Sequence, residues 1–291
     1  MTFTSASEVV KSVKELCSLP DVYLQLHKLM QSPHFAPEDL VQIIGRDPAL
    51  SARLLRIVNS PIYGFQSQID TLARAIIVVG LDDLQHLVLA TTVMDRFAAL
   101  PVEWVDMTAF WIRSVHCAIT CKLLATGCAA LHTDRLFLAG LLHDIGSLVL
   151  YQTMPDEALR VLRAINHDRR LLIGIEQTLL GFTHAEVGKE MLKSWGLPES
   201  LYSIVGDYPA PSMAQQHKLD AYILNLACRL VDNLAVGVSA AEAADQLDDQ
   251  TAAMIRLSRE QIINIMAQAE EDFLQIFEAL GPDAQGKSTP N

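Results

Sequence analysis

The sequence predicts an all-α protein on three observations. Apolar side chains repeat with the spacing of a helix face, helix-capping signals recur, and no segment between turn signals shows the two-residue alternation of a β-hairpin. The apolar fraction of 51% is typical of a globular protein. Short β-branched stretches, such as residues 75–80, are the main feature that argues for strands instead.

The first helices have clear boundary signals. Asp47-Pro48 predicts an N-cap and a first helical position, and Asn59-Ser60-Pro61 ends the helix that they open. A helix over 72–79 is predicted to end at Gly80, and Asp82 to cap the next helix. That helix carries an apolar stripe at helical spacing: Leu84, Leu87, Val88, Thr91, Met94 and Phe97.

Helical patterns continue to the end of the chain. Two capping boxes, Thr183 with Glu186 and Ser239 with Glu242, predict helix starts because each pair can satisfy the other's free backbone amides. Further helices are predicted over about 103–125, from Thr133 through His143-Asp144, near 156–166, over 171–179, from Pro198, near 216–234 and over 258–280.

Composition narrows the classes of function. The net charge of −12 would repel phosphate backbones, so nucleic acid is not an expected partner. No apolar run reaches the ~20 residues that span a bilayer, and charged residues spread through 1–14 leave no apolar core for a signal peptide. We therefore expect a cytoplasmic protein without a membrane partner.

The cysteines are five in number and lack zinc-ribbon spacing. Cys117 and Cys121 stand one helical turn apart, and the others are Cys17, Cys128 and Cys228. We expect reduced thiols that serve as small core residues, because disulfides are rare in the cytoplasm.

Three motifs carry a family resemblance. They are Asp47-Pro48-Ala49-Leu50, then Leu54-Leu55-Arg56-Ile57-Val58-Asn59-Ser60, then Gly140-Leu141-Leu142-His143-Asp144-Ile145-Gly146. In this order the motifs resemble the HDOD family, which are bacterial regulatory domains related to HD phosphohydrolases. The resemblance extends over roughly Cys17 to Ala210.

The resemblance implies a particular domain organisation. A helical N-terminal lobe (1–101) is expected to pack on an HD-like helical lobe (102–235), followed by C-terminal helices (236–282). The polar tail (283–291) is expected to be disordered.

The resemblance also allows metal-ligand positions to be compared. A neutral imidazole beside a carboxylate, as in His143-Asp144, is a common start to a divalent metal site. Catalytic HD relatives carry further ligands, whose positions fall here at Arg113, His184, Gly206-Asp207-Tyr208 and Cys228. Arginine has no lone pair to give, and a buried thiol replaces a carboxylate poorly at a hard metal, whereas aspartate remains an oxygen donor.

His143, Asp144 and His184 are then the three metal ligands that the resemblance leaves. They could hold one zinc-like ion with an open position, but not the two-metal clamp used in phosphoryl displacement. We favour a site that holds no metal or other cofactor, in which Arg113 forms an internal ion pair with Asp144. This vestigial site is predicted to comprise Arg113, His143, Asp144, His184, Asp207 and Cys228.

Two functions from different classes follow. The preferred one is a non-enzymatic signalling module that binds other signalling proteins in trans, since the sequence holds no second recognisable domain. The alternative is a metal-dependent phosphohydrolase acting on a nucleotide or cyclic dinucleotide, with His143, Asp144 and His184 as ligands.

Two surface features have open interpretations. The loop 59–68 is either a partner-binding surface or a loop whose backbone amides Asn59 caps. A run of cations is more typical of a solvated face, balanced by nearby acidic residues, than of a site for an anionic ligand. The run comprises Arg160, Arg163, His167, Arg169 and Arg170.

Overall fold

The computed structural model of the protein describes residues 3–13, 19–32, 34–98 and 104–280, and over these ranges it is all-α, with no β-strand. In chain order the helices are α1 (Ala6–Ser12), α2 (Asp21–Met30), α3 (Pro37–Ile44), α4 (Pro48–Val58), α5 (Leu72–Val79), α6 (Leu81–Ala98), α7 (Met107–Gly127), α8 (Thr133–Leu142), α9 (Ile145–Thr153), α10 (Pro155–Ile165), α11 (Leu172–Leu180), α12 (His184–Ser194), α13 (Glu199–Asp207), α14 (Lys218–Ala235), α15 (Ala240–Asp245), α16 (Asp249–Ile255) and α17 (Arg259–Leu280). Short 3₁₀ turns cover Pro61–Tyr63, Arg169–Leu171 and Pro211–Met213. The predicted fold class is confirmed.

The chain forms two compact units. The large unit comprises Met1–Ser18 and Val102–Glu271, and the small unit comprises Leu19–Pro101 and Asp272–Asn291. These boundaries differ from the predicted ones, because residues 1–18 join the large unit and 236–271 form no unit of their own. The first difference arises because α1 buries Val9 and Val10 and packs on α9 and α12. The tail 283–291 lies outside the described residues.

Most predicted helix boundaries are confirmed by their caps. Asp47 Oδ1 accepts the backbone N–H of Leu50 at 2.9 Å, and both predicted capping boxes are formed. Asp82 is not an N-cap, because α6 begins at Leu81 and places Asp82 in its first turn. The helix predicted over about 103–125 begins only at Met107, since Asp106 accepts the first free amides, and it continues to Gly127.

The stretch Thr133–Thr153 is long and apolar enough to cross a membrane, although the sequence suggested no such run. It consists of α8 and α9, which follow one another across His143-Asp144, and 89% of it is buried. A second apolar pair, Leu72–Val79 with Leu81–Phe97, is bent by 116°. Burial of this degree is typical of core helices, and one or two such stretches are weak evidence for a membrane span.

Packing in the large unit centres on α7, which contacts α8 and α14, while α9 packs on α12. The α9–α12 contact requires a glycine, since a Cβ on Gly146 would lie 1.9 Å from the His184 carbonyl oxygen and 2.6 Å from the Gly188 nitrogen. Cys117, Cys121 and Cys228 are buried free thiols, and Cys128 is a free thiol that is partly buried. Cys17 lies outside the described residues.

We expect Gly146→Ala to destabilise the protein by about 3 kcal/mol, because the overlap is with backbone atoms that no rotamer change can move. Gly174→Ala is the matched control, since no atom lies within 4 Å of its Cβ position in α11. That change should stabilise the protein slightly, by up to about 1 kcal/mol. Urea unfolding of both variants measures the difference, and equal stabilities would contradict the close α9–α12 contact.

Candidate functional site

His143 and Asp144 lie at the junction of two buried helices. His143 follows the last residue of α8, and Asp144 is the N-cap of α9. The Nδ1–H of His143 donates to the Gly140 carbonyl oxygen at 2.6 Å, and the Ser147 hydroxyl donates to Asp144 Oδ1. The junction therefore fixes the orientation of both side chains and points His143 Nε2 away from α8.

Arg113 extends from α7 to this junction. Its Nε and one terminal nitrogen donate to the two carboxylate oxygens of Asp232 at 2.7 and 3.0 Å, a bidentate pair. Its other terminal nitrogen, Nη1, lies 2.5 Å from His143 Nε2 and 3.3 Å from Asp144 Oδ2. The predicted ion pair between Arg113 and Asp144 is therefore present.

A second arginine reaches the same carboxylate. Arg169, in the 3₁₀ turn before α11, donates through Nη2 to Asp144 Oδ2. Asp144, whose side chain is only 1% exposed, is therefore held by two guanidinium groups and a hydroxyl.

His184 occupies the opposite side of Asp144. Its Nε2 lies 3.7 Å from Asp144 Oδ1 and 2.7 Å from the Tyr208 hydroxyl. Its Nδ1 lies 2.7 Å from the carboxylate of Glu176, which also accepts the His184 backbone N–H. This buried carboxylate fixes the imidazole, with Nδ1 as the donor.

Local charges set the protonation of these groups. Burial, with help from Arg113, lowers the pKa of His143 to about 3, so this imidazole is neutral at pH 7. Burial acts to raise the pKa of Asp144, but Arg169, His184 and Arg113 together hold that pKa well below its usual range. Burial acts to lower the pKa of His184, but Glu176 and Asp144 outweigh it and raise the pKa.

The buried charges balance within the network itself. With His184 protonated, three cations face three anions. The cations are Arg113, Arg169 and His184, and the anions are Asp144, Asp232 and Glu176. Because each buried charge has a partner, the cluster does not need an added cation to compensate its carboxylates.

Five of the six residues predicted for the vestigial site come together, and Asp207 does not. Asp207 Oδ1 accepts from Lys189 Nζ at 2.8 Å on a partly exposed surface. The next residue, Tyr208, faces the site instead, with its hydroxyl on His184 and its ring edge-on to His143. Cys228 lines the same cavity as Arg113 and His184.

The contacts of Arg113 oppose the binding of a metal ion by His143 and Asp144. Arg113 Nη1 lies within hydrogen-bond distance of both His143 Nε2 and Asp144 Oδ2, the atoms that would have to share an ion. A guanidinium carries a fixed positive charge and no lone pair, so it repels an ion there and cannot ligate it. Asp144 Oδ2 also accepts from Arg169, which leaves this oxygen already paired with two cations.

Four members of the network were missed by the sequence analysis: Asp232, Glu176, Tyr208 and Ser147. Asp232 stands one helical turn after Cys228 on α14, so a search at i+4 could have found it. Arg169 was treated as part of a surface run. It turns inward, whereas Arg160, Arg163 and His167 are exposed, as expected of a solvated face.

The loop after α4 is held by the side chain of Asn59. Its Nδ2 donates to the carbonyl oxygens of Leu55 and Ile69 at 2.8 and 2.7 Å, and its Oδ1 accepts the Ile69 backbone N–H at 2.7 Å. Asn59 therefore closes the loop by bonding to the backbone. The loop also presents Phe65, 38% exposed and stacked on Tyr63.

The helical architecture and the His-Asp junction define an HD-like helical protein with a buried ion-pair network at that junction. The chain belongs to the HDOD domain family, because the family model of that domain matches residues 16–211. This match agrees closely with the extent of the resemblance seen in the sequence.

Known proteins resemble this chain over most of its length. A crystal structure from Shewanella amazonensis SB2B, described as a candidate phosphohydrolase, matches with a TM-score of 0.75 and 24% identity, covering 95% of this chain and 99% of that one. One from Marinobacter aquaeolei VT8, described as a candidate signal transduction protein, matches with a TM-score of 0.66 and 23% identity, covering 90% and 58%. At these identities the likeness establishes the fold alone.

A curated relative, an uncharacterized protein of Treponema pallidum (strain Nichols), is 26% identical over 201 residues. The match covers 69% of this chain but only 39% of the relative. The relative is therefore much longer than the region that the two proteins share.

We expect Asp232→Asn to destabilise the protein by about 3 kcal/mol, because it leaves the buried guanidinium of Arg113 without its bidentate carboxylate. Asp245→Asn is the matched control. Asp245 forms the same two contacts with Arg259, at 2.5 and 3.2 Å, but on the exposed surface.

The control should leave the unfolding midpoint unchanged, because water screens exposed ion pairs. Urea unfolding at pH 7 compares the two variants. A similar small effect of both substitutions would show that the Arg113 network contributes little to stability.

Proposed function

We propose that this protein is a non-catalytic signal-transduction module that acts in the cytoplasm by binding other proteins of a bacterial signalling pathway. The observation that carries this proposal is the position of Arg113 Nη1, 2.5 Å from His143 Nε2 and 3.3 Å from Asp144 Oδ2. A fixed cation there opposes the metal on which HD hydrolysis depends. Membership of the HDOD family and the description of the Marinobacter protein support a signalling role.

A metal-dependent phosphohydrolase is the second candidate. It is favoured by the 3.7 Å between His184 Nε2 and Asp144 Oδ1, two of the three ligands that the resemblance leaves, and by the position of His143 next to Asp144 in the chain. The description of the Shewanella protein agrees with it. For this function Arg113 would have to leave the junction, and its bidentate bond to Asp232 opposes such a movement.

The proposal of partner binding rests on the surface of the small unit. The loop closed by Asn59 is joined to α5 by a hydrogen bond from Arg74 to Ser67 at 3.1 Å. Ile77, one turn further along α5, is 81% exposed. A rigid loop beside an exposed apolar side chain is typical of a protein-binding surface.

We expect no hydrolysis of bis(p-nitrophenyl) phosphate, nucleotides or cyclic dinucleotides above the protein-free rate, with Mg²⁺, Mn²⁺ or Zn²⁺ added. Asp144→Ala and His184→Ala should behave as the unchanged protein does, with Asp245→Asn as a folded surface control. The measurement is phosphate or product release. Metal-dependent turnover that disappears in His184→Ala would overturn the proposal and establish the hydrolase.

We expect a tagged chain expressed in its native host to recover a specific partner, and Ile77→Asp to reduce that recovery at least tenfold. A carboxylate in an apolar contact is left without a hydrogen-bond partner, whereas in the free protein it remains in water. Leu131→Asp is the control, since Leu131 is 92% exposed and lies in the large unit.

Circular dichroism should show that both variants fold as the unchanged chain does. Quantitative mass spectrometry measures the recovery, and Asp144→Ala reports whether the network influences it. Equal recovery of the partner with Ile77→Asp and Leu131→Asp would exclude this surface of the small unit as the partner-binding site.

A further inference from the structure

Three buried soft donors converge in the core of the large unit. The sulfurs of Cys117 and Cys228 and one ring nitrogen of His143 all lie within 4.8 Å of one another, and all three side chains are buried. In a tetrahedral zinc site, with bonds of about 2.3 Å to sulfur and 2.0 Å to nitrogen, the ligand atoms lie about 3.5–3.8 Å apart. Small side-chain rotations would therefore close this set around one ion.

The fold orients each donor toward the others. Cys117 lies on α7 and Cys228 on α14, two helices that pack together, and both sulfurs belong to the cluster whose atoms lie within 4.8 Å of one another. His143 donates its Nδ1–H to the Gly140 carbonyl oxygen at 2.6 Å, which leaves Nε2 as the ligand atom. A ring nitrogen bonded to a backbone carbonyl is the usual support of a metal-binding histidine.

Charge conservation allows an ion to bind beside Arg113. Zn²⁺ replaces the protons of the two thiols, which pass to the solvent, so the site gains two positive charges and loses two. The charge near Arg113 is therefore unchanged. Burial raises the pKa of the Cys228 thiol, whereas the nearby Arg113 guanidinium acts to lower that pKa.

We propose that Cys117, Cys228 and His143 form a binding site for one thiophilic metal ion, with Zn²⁺ as the reference ion. The site shares His143 with the set His143, Asp144 and His184, and Cys228 stands where the resemblance places a ligand of the catalytic relatives. Cys117 has no such counterpart, and the two thiolates select against the hard ions Mg²⁺ and Mn²⁺. A cavity of about 370 Å³, lined by Arg113, His184, Cys228 and Asp232, reaches one of the three donors, Cys228.

Binding at this site changes the ion-pair network. His143 Nε2 cannot ligate an ion and accept from Arg113 Nη1 at the same time, so the ion displaces the contact that now measures 2.5 Å. Arg113 keeps its bidentate bond to Asp232 and can donate Nη1 to a metal-bound thiolate. The inference goes beyond the proposed function, which does not depend on it.

The test is titration of the full-length reduced chain with Zn²⁺ against a competing chromophoric chelator, and with Cd²⁺ followed by the sulfur-to-metal charge-transfer band. We expect one ion per chain and a band that corresponds to two thiolates. Cys117→Ser and Cys228→Ser should each weaken Zn²⁺ binding by more than about 100-fold. Removing a metal ligand is expected to weaken binding more than removing a side chain that only orients a ligand, which typically costs about 10–100-fold. Cys121→Ser is the matched control, because Cys121 is equally buried one turn along α7.

His184→Ala separates this site from a hydrolytic one. Retained Zn²⁺ binding in His184→Ala, with loss in the two cysteine variants, supports the proposal. Absence of a stoichiometric Cd²⁺–thiolate band in the unchanged chain overturns it, and this readout does not depend on whether any variant folds. Metal binding that is lost in His184→Ala but kept in Cys117→Ser also overturns the thiophilic site. If phosphoester turnover accompanies that result, the proposed non-catalytic function is overturned as well.

Discussion

The guanidinium of Arg113 joins three parts of the large unit through one buried group. From α7 it bonds to Asp232 on α14 and to the His143-Asp144 junction between α8 and α9. Each of these carboxylates would be costly to bury without a cation, and Arg113 is the group that they share. Arg113 therefore links α7, α14 and the His143-Asp144 junction through an ion pair whose guanidinium remains charged at physiological pH.

An arginine and a metal ion impose different requirements on the same surroundings. A metal site needs free lone pairs that converge on one point, whereas Arg113 uses those lone pairs as hydrogen-bond acceptors. The second arginine, Arg169, and the pairing of His184 with Glu176 complete a cluster whose charges cancel. Each buried charge of the cluster therefore has a partner of opposite sign within the large unit.

The thiols of Cys117 on α7 and Cys228 on α14 are soft metal donors in the same core. Hard ions are disfavoured by Arg113, but a thiophilic ion would exchange with two thiol protons and leave the net charge unaltered. His143 belongs to both arrangements, because its Nε2 now accepts from Arg113 and is also the only ring nitrogen free to ligate. Occupancy by a soft ion would therefore alter a hydrogen bond at the centre of the network without requiring hydrolytic chemistry.

The sequence by itself determined the all-α class, most helix boundaries and the family. Caps such as Asp47 and Gly80 act on backbone groups a few residues away, so local sequence is sufficient to predict them. Only the tertiary structure decided the partners in the site. Arg113 and Asp232 are 119 residues apart in the chain, and their pairing depends on how α7 packs on α14. Neighbouring helical residues point about 100° apart, which is why Tyr208 reaches His184 while Asp207 turns to Lys189.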